Sequence, residues 1–402
     1  MSSEYLNSEY CAIKKAIVSI STSGSSYTTF DDQALLSVGL SFSIFSPIVT
    51  VQCTINDFQG YFNVIDTSKA FYMKVQLVDQ FALDTSVTEA SVYRTFRILK
   101  CSRAESNRTS CWTMTGIDEL SYKLSTTYVK RNQTTNATGM FQAMIAALNL
   151  DSTVTAYKST LDVSTPKDDE AYGVLRITSD TSLLSQLVKM GAEHNCHFFQ
   201  TLHTVHFGEM TVKDLKSDPV KDVNGNDLTF SNAVQPEKAQ FVGKIHEYYP
   251  FMGNQLQSIK NPITESQIQQ TSDSYKSSNC AMTVFEDIML NGNMEYLASQ
   301  DTTGKRSDPN SFNTPGLQKY NTIRQFLQFN RLEIHVPGCF AYNDIYKVCN
   351  VKILPKTVNN SQTIEGMRKL SGKWLIGGAD YLVTTGTFKS RLKLYRYDNP
   401  EQ

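Results

Sequence analysis

Apolar and polar residues alternate with a period of two over both ends of this chain, and a helical spacing replaces that period in the middle. Short alternating runs occupy residues 13–20, 38–45, 47–55, 71–78, 92–99 and 112–117, so the chain reads as strand-like from Cys11 to about Leu124. They are rich in β-branched and aromatic residues, and the first ends in a Ser/Thr/Gly turn cluster at residues 21–26. Closely spaced runs of this kind predict an antiparallel barrel or sandwich. The far end repeats the pattern with runs at 332–336, 345–353, 373–376, 381–387 and 391–397, with Pro337-Gly338 and Gly377-Gly378 read as turns. In the last run Leu392 and Leu394 face one side and Arg391, Lys393 and Tyr395 the other, as in a half-buried strand.

Between these ends the texture changes. Residues 129–138 are polar, and Met140, Met144, Ile145 and Leu148 follow at helical spacing behind a Thr138 cap. A second helix starts at Asp180 or Thr181, carries Leu183, Leu184, Leu187, Val188 and Met190 on one face, and stops at Gly191. Alternating runs at 197–200 and 203–207 come next. Asn224-Gly225 then predicts a hairpin between 220–223 and 228–230, and 241–249 reads as a strand. Residues 253–315 are rich in Gln, Ser, Asn and Asp, with a helix candidate at 281–290; a helix over 317–329 shows Tyr320, Ile323, Phe326 and Leu327 on one face. The reading is an α+β, mainly β fold. Residues 1–125 form a first small antiparallel β-barrel, and 126–202 an α/β connecting domain. Residues 203–250 and 331–397 form a second small barrel, interrupted by a polar, partly helical insert at 251–330.

Bulk properties narrow the function classes. A chain of 402 residues holds two or three domains. Lys and Arg number 38 against 39 Asp and Glu, and that balance lacks the basic excess of a phosphate-gripping protein, so no specific nucleic acid is expected as a partner. The longest apolar stretch, residues 40–51, is broken by Ser41, Ser43, Ser46 and Pro47, and the N-terminus shows no signal-peptide pattern. A soluble product made in a cytosol, with no membrane partner, is the expectation. Eight scattered cysteines include no C-x-x-C; Cys101/Cys111 and Cys339/Cys349 each have the spacing to face across a hairpin, and buried free thiols are the plainer alternative. The sequons at Asn107, Asn132, Asn136 and Asn359 fit a Ser/Thr/Asn-rich chain by chance.

Candidate chemistry is sparse. His194, Cys196, His197, His203 and His206 concentrate ligand-type side chains in one segment, as zinc sites do. An odd spacing sets His203 and His206 on opposite faces of a regular strand, so surface and interface imidazoles are the favoured reading. Asp168-Asp169-Glu170 pairs carboxylates, but after Pro166-Lys167 it reads as a solvated turn. Lys356 and the basic residues of the last strands are available to acidic partners. No G-x-S-x-G, H-E-x-x-H or Walker loop occurs, and no helix follows Gly377-Gly378 to make a phosphate cradle. No catalytic, cofactor-binding or metal residue is assigned, no cofactor is expected, and the chain is read as non-enzymatic.

Three stretches carry a resemblance. The helix at 182–190 leads into Gly191-Ala-Glu-His-Asn-Cys-His-Phe-Phe199; residues 336–348 pair a turn with a strand; residues 378–394 form a closing hairpin. In this order the chain resembles the central baseplate hub protein of contractile-tailed bacteriophages, whose fold also forms the N-terminal part of type VI secretion spike proteins. The resemblance implies a homotrimer whose paired barrels make a pseudo-sixfold ring, joining a hexameric tail tube or its initiator to a trimeric spike protein among baseplate wedge proteins. It places the protein in the virion tail, assembled in the host cytoplasm. The end at Gln402, soon after the last strand, favours the contractile-phage version with a separate spike chain. The long polar segment from Gly253 to Pro315 and the cysteine count depart from the family. A carbohydrate- or receptor-binding tail component is the alternative.

Overall fold

The computed structural model describes residues 13–66, 69–79, 91–106, 109–128, 133–135, 160–163, 175–177, 182–185, 187–188, 196–209, 217–222, 225–231, 239–240, 246–248, 330–340, 343–353 and 371–396. The helices expected over 138–148, 281–290 and 317–329, the acidic run, Lys356, the sequons and nearly all of the insert lie outside them.

The alternating runs form strands. In chain order they are β1 (Ile13–Ser21), β2 (Thr28–Thr29), β3 (Leu35–Ser43), β4 (Ser46–Asn56), β5 (Phe71–Asp79), β6 (Ser91–Ser106) and β7 (Thr109–Asp118). After α1 (Glu119–Thr126) come β8 (Gln133–Thr135), β9 (Thr160–Val163), β10 (Leu175–Ile177), β11 (Cys196–Gln200), β12 (Thr204–Glu209), β13 (Thr229–Ser231), β14 (Ala239–Gln240) and β15 (His246–Tyr248). The last are β16 (Asn330–Pro337), β17 (Val348–Lys352), β18 (Gly372–Thr384) and β19 (Thr387–Arg396). The fold is mainly β, as expected. Alternation sets the core directly: Phe71, Met73, Val75 and Leu77 of β5 and Val49, Val51, Cys53 and Ile55 of β4 point inward and are buried.

The strands fall into two sets with one topology. In the first, neighbours run β1-β5-β6-β7-β4-β3; in the second, β13-β17-β18-β19-β16-β15. The chain visits corresponding strands in the same order. Both sets close on a hairpin, with Ser106 opposite Thr109 and Thr384 opposite Thr387, and both carry a bulge in its first strand, between Ile98 and Lys100 and between Ile376 and Gly378. One difference is that β1 meets β5 antiparallel whereas β13 meets β17 in parallel. Each set curls: Phe30 N–H donates to Val18 O and Asn56 N–H to Ala34 O, tying β1 toward β4, while β14 lies against β16. The two share one 14-stranded sheet, because β18 pairs with β3 from Gly378↔Ser43 to Thr384↔Ser37. A three-stranded sheet, β11-β12-β9, and a two-stranded one, β10-β8, stand apart from it.

Several expectations are corrected. Residues 119–126, inside the stretch read as strand-like, are helical because Asp118 caps them, its side chain accepting from Ser121 N–H at 3.0 Å. Gly377-Gly378 is no turn: residues 373–376 and 381–384 belong to one strand, and the pair forms its bulge. The run at 345–353 pairs only from Val348, since Tyr346 turns the chain at φ 64°, a left-handed conformation costing a side-chain-bearing residue about 1–3 kcal/mol. Its N–H donates to Ile376 O at 2.7 Å. Tyr395 does face away from Leu394 but is buried, because Phe45 from the β3–β4 turn packs edge-on against it at 5.1 Å. The hairpin turn at Gly225 is as expected, with φ 80° and Lys221 bridged to Asp227.

A Cβ on Gly377 would sit 2.2 Å from Cδ2 of Tyr395. Gly377→Ala should therefore destabilise by about 1–3 kcal/mol or more. Adding Tyr395→Leu should return part of that loss, as read by denaturant melts of the single and double variants.

Candidate functional site at the junction of the two β sets

Period-two alternation puts Val92, Arg94, Phe96 and Ile98 on the inner face of β6, so a guanidinium enters an apolar row. Arg94 is 0% exposed. Its Nη1 donates to Gln200 Oε1 at 3.0 Å, and its Nη2 donates to the carbonyls of Thr201 at 2.6 Å and Leu202 at 3.4 Å. The guanidinium carbon also lies 5.1 Å from the centre of the Phe42 ring. A buried cation without such acceptors is costly, so the turn after β11 is fixed where its carbonyls can serve.

Gln200 extends the network. Its Nε2 donates to Pro47 O at 2.7 Å, Asp118 Oδ2 at 3.0 Å and Ser121 Oγ at 3.2 Å. Asp118 Oδ1 accepts from Val49 N–H at 3.1 Å and from Ser121 Oγ at 2.5 Å. One carboxylate and one amide thus join β4, β7, α1 and β11. On the far side, Asp344 Oδ1 accepts from the N–H groups of Leu202 at 3.0 Å and Ile345 at 2.8 Å. Asp79, at the end of β5, accepts from Phe340 N–H at 2.7 Å, and Ile44 N–H donates to Gly377 O at 2.9 Å. These contacts, with the β3–β18 ladder, hold the two sets in one core.

The histidine segment lies at this junction. His197 and His206 are buried rather than on the surface, because β11 and β12 pair with Phe199 opposite His206. The His206 ring stacks on Phe199 at 4.5 Å and lies 5.0 Å from that of Tyr346. His203 precedes β12 in the connecting turn and is half-buried; His194 is outside the described residues. No group of three or more His, Cys, Asp or Glu side chains able to hold a metal occurs among the described residues. The six described cysteines are free thiols: Cys101 faces Met114 and Cys111 faces Ala104 across β6–β7, so neither meets the other. Burial pushes the Cys101 thiol up to about 11 and raises those of Cys53 and Cys349 further.

Outside the junction, the outward face of β16, β19 and β18 is charged. Glu333, itself buried, accepts from Arg391 Nε at 2.7 Å and Arg331 Nη2 at 3.2 Å; Lys393 meets Asp380 at 3.2 Å. Cross-strand register places these pairs side by side.

No protein-family model matches the chain, and no curated protein sequence matches it significantly. Solved structures do. The tail protein from Neisseria meningitidis MC58 superposes with a TM-score of 0.51 at 11% identity, covering 95% of this chain and 96% of that one. The 43 kDa tail protein of prophage MuSo2 from Shewanella oneidensis gives a TM-score of 0.54 at 10% identity, covering 96% and 98%. At such identity the likeness is one of fold. This chain has the tail-protein fold that its order of elements resembles.

The junction network was legible only in part. Alternation marks Arg94 as inward-facing, and Asp118 before Glu-Leu-Ser is a cap signal; nothing local pairs either with Gln200. Arg94→Met strands three acceptors and should cost roughly 3 kcal/mol in denaturant melts.

Burial raises the pKa of Asp344, and the charges of Lys347 and His203 and the N–H groups of Leu202 and Ile345 only partly oppose it. The folded state therefore holds this proton more tightly than the unfolded chain. The stability gained is complete below the ordinary carboxylate range and is lost as pH rises through the raised value. Relative to Asp344→Asn, wild type should gain stability on acidification from neutral pH, as seen in melts run across that window.

Proposed function

We propose that this chain is the structural hub of a phage tail baseplate. Three copies form a ring that joins a hexameric tail tube to a trimeric central spike. The observation that carries this reading is the pair of β sets with one strand order, fused edge to edge in one sheet through β3 and β18. Two quasi-equivalent units per chain let three chains offer six similar faces on one side and three on the other. Residues 1–125 supply the first unit, 203–250 with 331–397 the second, 126–202 the connection and 251–330 an insert. Tube or tube-initiator proteins, the spike and baseplate wedge proteins are the partners, and the place of action is the virion tail.

The work of such a hub is mechanical, so it uses no cofactor and no catalytic residue. The folds of the two tail proteins support this reading. A junction braced by buried polar groups suits a part that must keep its shape under load.

Mass measurement of the purified chain, alone and co-expressed with its spike, tests the proposal. A trimer alone and a three-to-three complex with the spike are expected. A monomer that needs no spike and binds glycans would overturn it in favour of a receptor-binding component.

A further inference from the structure

The loop that follows β4 builds a recess against the outer part of the β6–β7 hairpin. Asp57 starts it. Its Oδ1 accepts from Tyr61 N–H at 2.6 Å and its Oδ2 from Phe62 N–H at 3.3 Å, which winds Tyr61–Val64 into one 3₁₀ turn. Asp57 N–H donates to Ser110 O at 2.8 Å and ties the loop to β7. The Phe62 ring stacks on Trp112 of β7 at 4.4 Å. From β6, Arg103 donates through Nε and Nη2 to Ser110 Oγ at 3.2 and 2.9 Å and pairs with Glu105. The recess between these walls holds about 360 Å³, within the size range of small-ligand sites.

Its charges are matched, whereas its neutral polar groups are not. Asp57 is engaged by two backbone N–H groups, and Arg103 by Glu105 and Ser110. Asn63 is exposed, and its amide makes no hydrogen bond among the described residues. Gln59 accepts from the Tyr61 hydroxyl at 2.8 Å through Oε1, and its NH₂ group stays available. Ser110 Oγ accepts both Arg103 bonds and keeps its own proton to donate. An aromatic ring, Phe58, lines the same recess and is 48% exposed.

We propose that this recess binds a neutral saccharide, with a sugar ring stacked on Phe58 and its hydroxyls bonded to Asn63, Gln59 and Ser110. A pyranose offers a C–H face to an aromatic ring and a rim of hydroxyls that each donate and accept. That mixture matches what the recess leaves open: amide donors, an amide acceptor and a hydroxyl. An anionic ligand fits less well, because the carboxylates of Asp57 and Glu105 flank the guanidinium that would attract it. A purely apolar ligand would strip water from the amides and replace none of its hydrogen bonds. The site lies within one β set and does not depend on the ring proposed above.

Tryptophan fluorescence of the full chain tests this, since the sequence holds two tryptophans and only Trp112 lines the recess. The probes are glucose, galactose, mannose, N-acetylglucosamine and their short oligomers. At least one should change the emission saturably, with Kd around the millimolar range or tighter. The change should vanish in Trp112→Phe. Phe58→Ala and Asn63→Ala, both at exposed positions, should each weaken binding by about three- to tenfold with the melting temperature kept. Glucuronic acid should bind more weakly than glucose. No saturable change with any of these sugars overturns the inference. So does a change that survives Trp112→Phe, an affinity unaltered in Phe58→Ala or Asn63→Ala, or tighter binding of glucuronic acid. A trimer that binds no sugar keeps the hub reading and loses only this one.

Discussion

The architecture depends on β18 having more edge than its own unit can fill. Its first part pairs with β17 and its later part with β3, both on the same side, while β19 runs along the other. The change of partner falls at the Gly377 bulge, where the backbone is re-aimed and the missing side chain admits the Tyr395 ring. Without that switch the two units would be held by packing and by single hydrogen bonds such as that from Phe340 N–H to Asp79. With it they share a ladder of backbone hydrogen bonds, which resists shear as separate packed domains do not.

Polar groups finish what the ladder starts. Arg94 and Asp118 are both fully buried, and each bonds groups distant in sequence. Such a network adds modest net stability, because desolvation offsets most of the attraction. It adds definition. A core of β-branched and aromatic side chains tolerates small slips, whereas a buried guanidinium with three acceptors tolerates few. Both sit where the connecting strand β11 meets the first unit, so the junction is defined at that place.

How much of this was legible follows from the range of each interaction. Strand positions over residues 13–117 came through because a half-buried strand writes its geometry into every second residue. The β18 bulge was misread as a turn because Gly-Gly signals conformational freedom without saying which freedom is used. Tyr395 was placed on the correct face but with the wrong environment, since only the Phe45 turn of a distant hairpin covers it. His197 and His206 were read among surface and interface imidazoles and are instead buried within the chain, because a polar ring on a strand looks the same from sequence whether it meets water or, as His206 does, Phe199 and Tyr346.

By itself the sequence determined the class of structure: two ends of alternating strands and a different middle. Alternation, caps and turns act within a few residues, so one chain records them. Tertiary structure alone decided that the two ends share a sheet, that their strand orders match, and that Arg94 reaches Gln200. Those outcomes rest on backbone groups, which are alike at every residue, and on contacts between segments hundreds of residues apart, for which no local pattern exists.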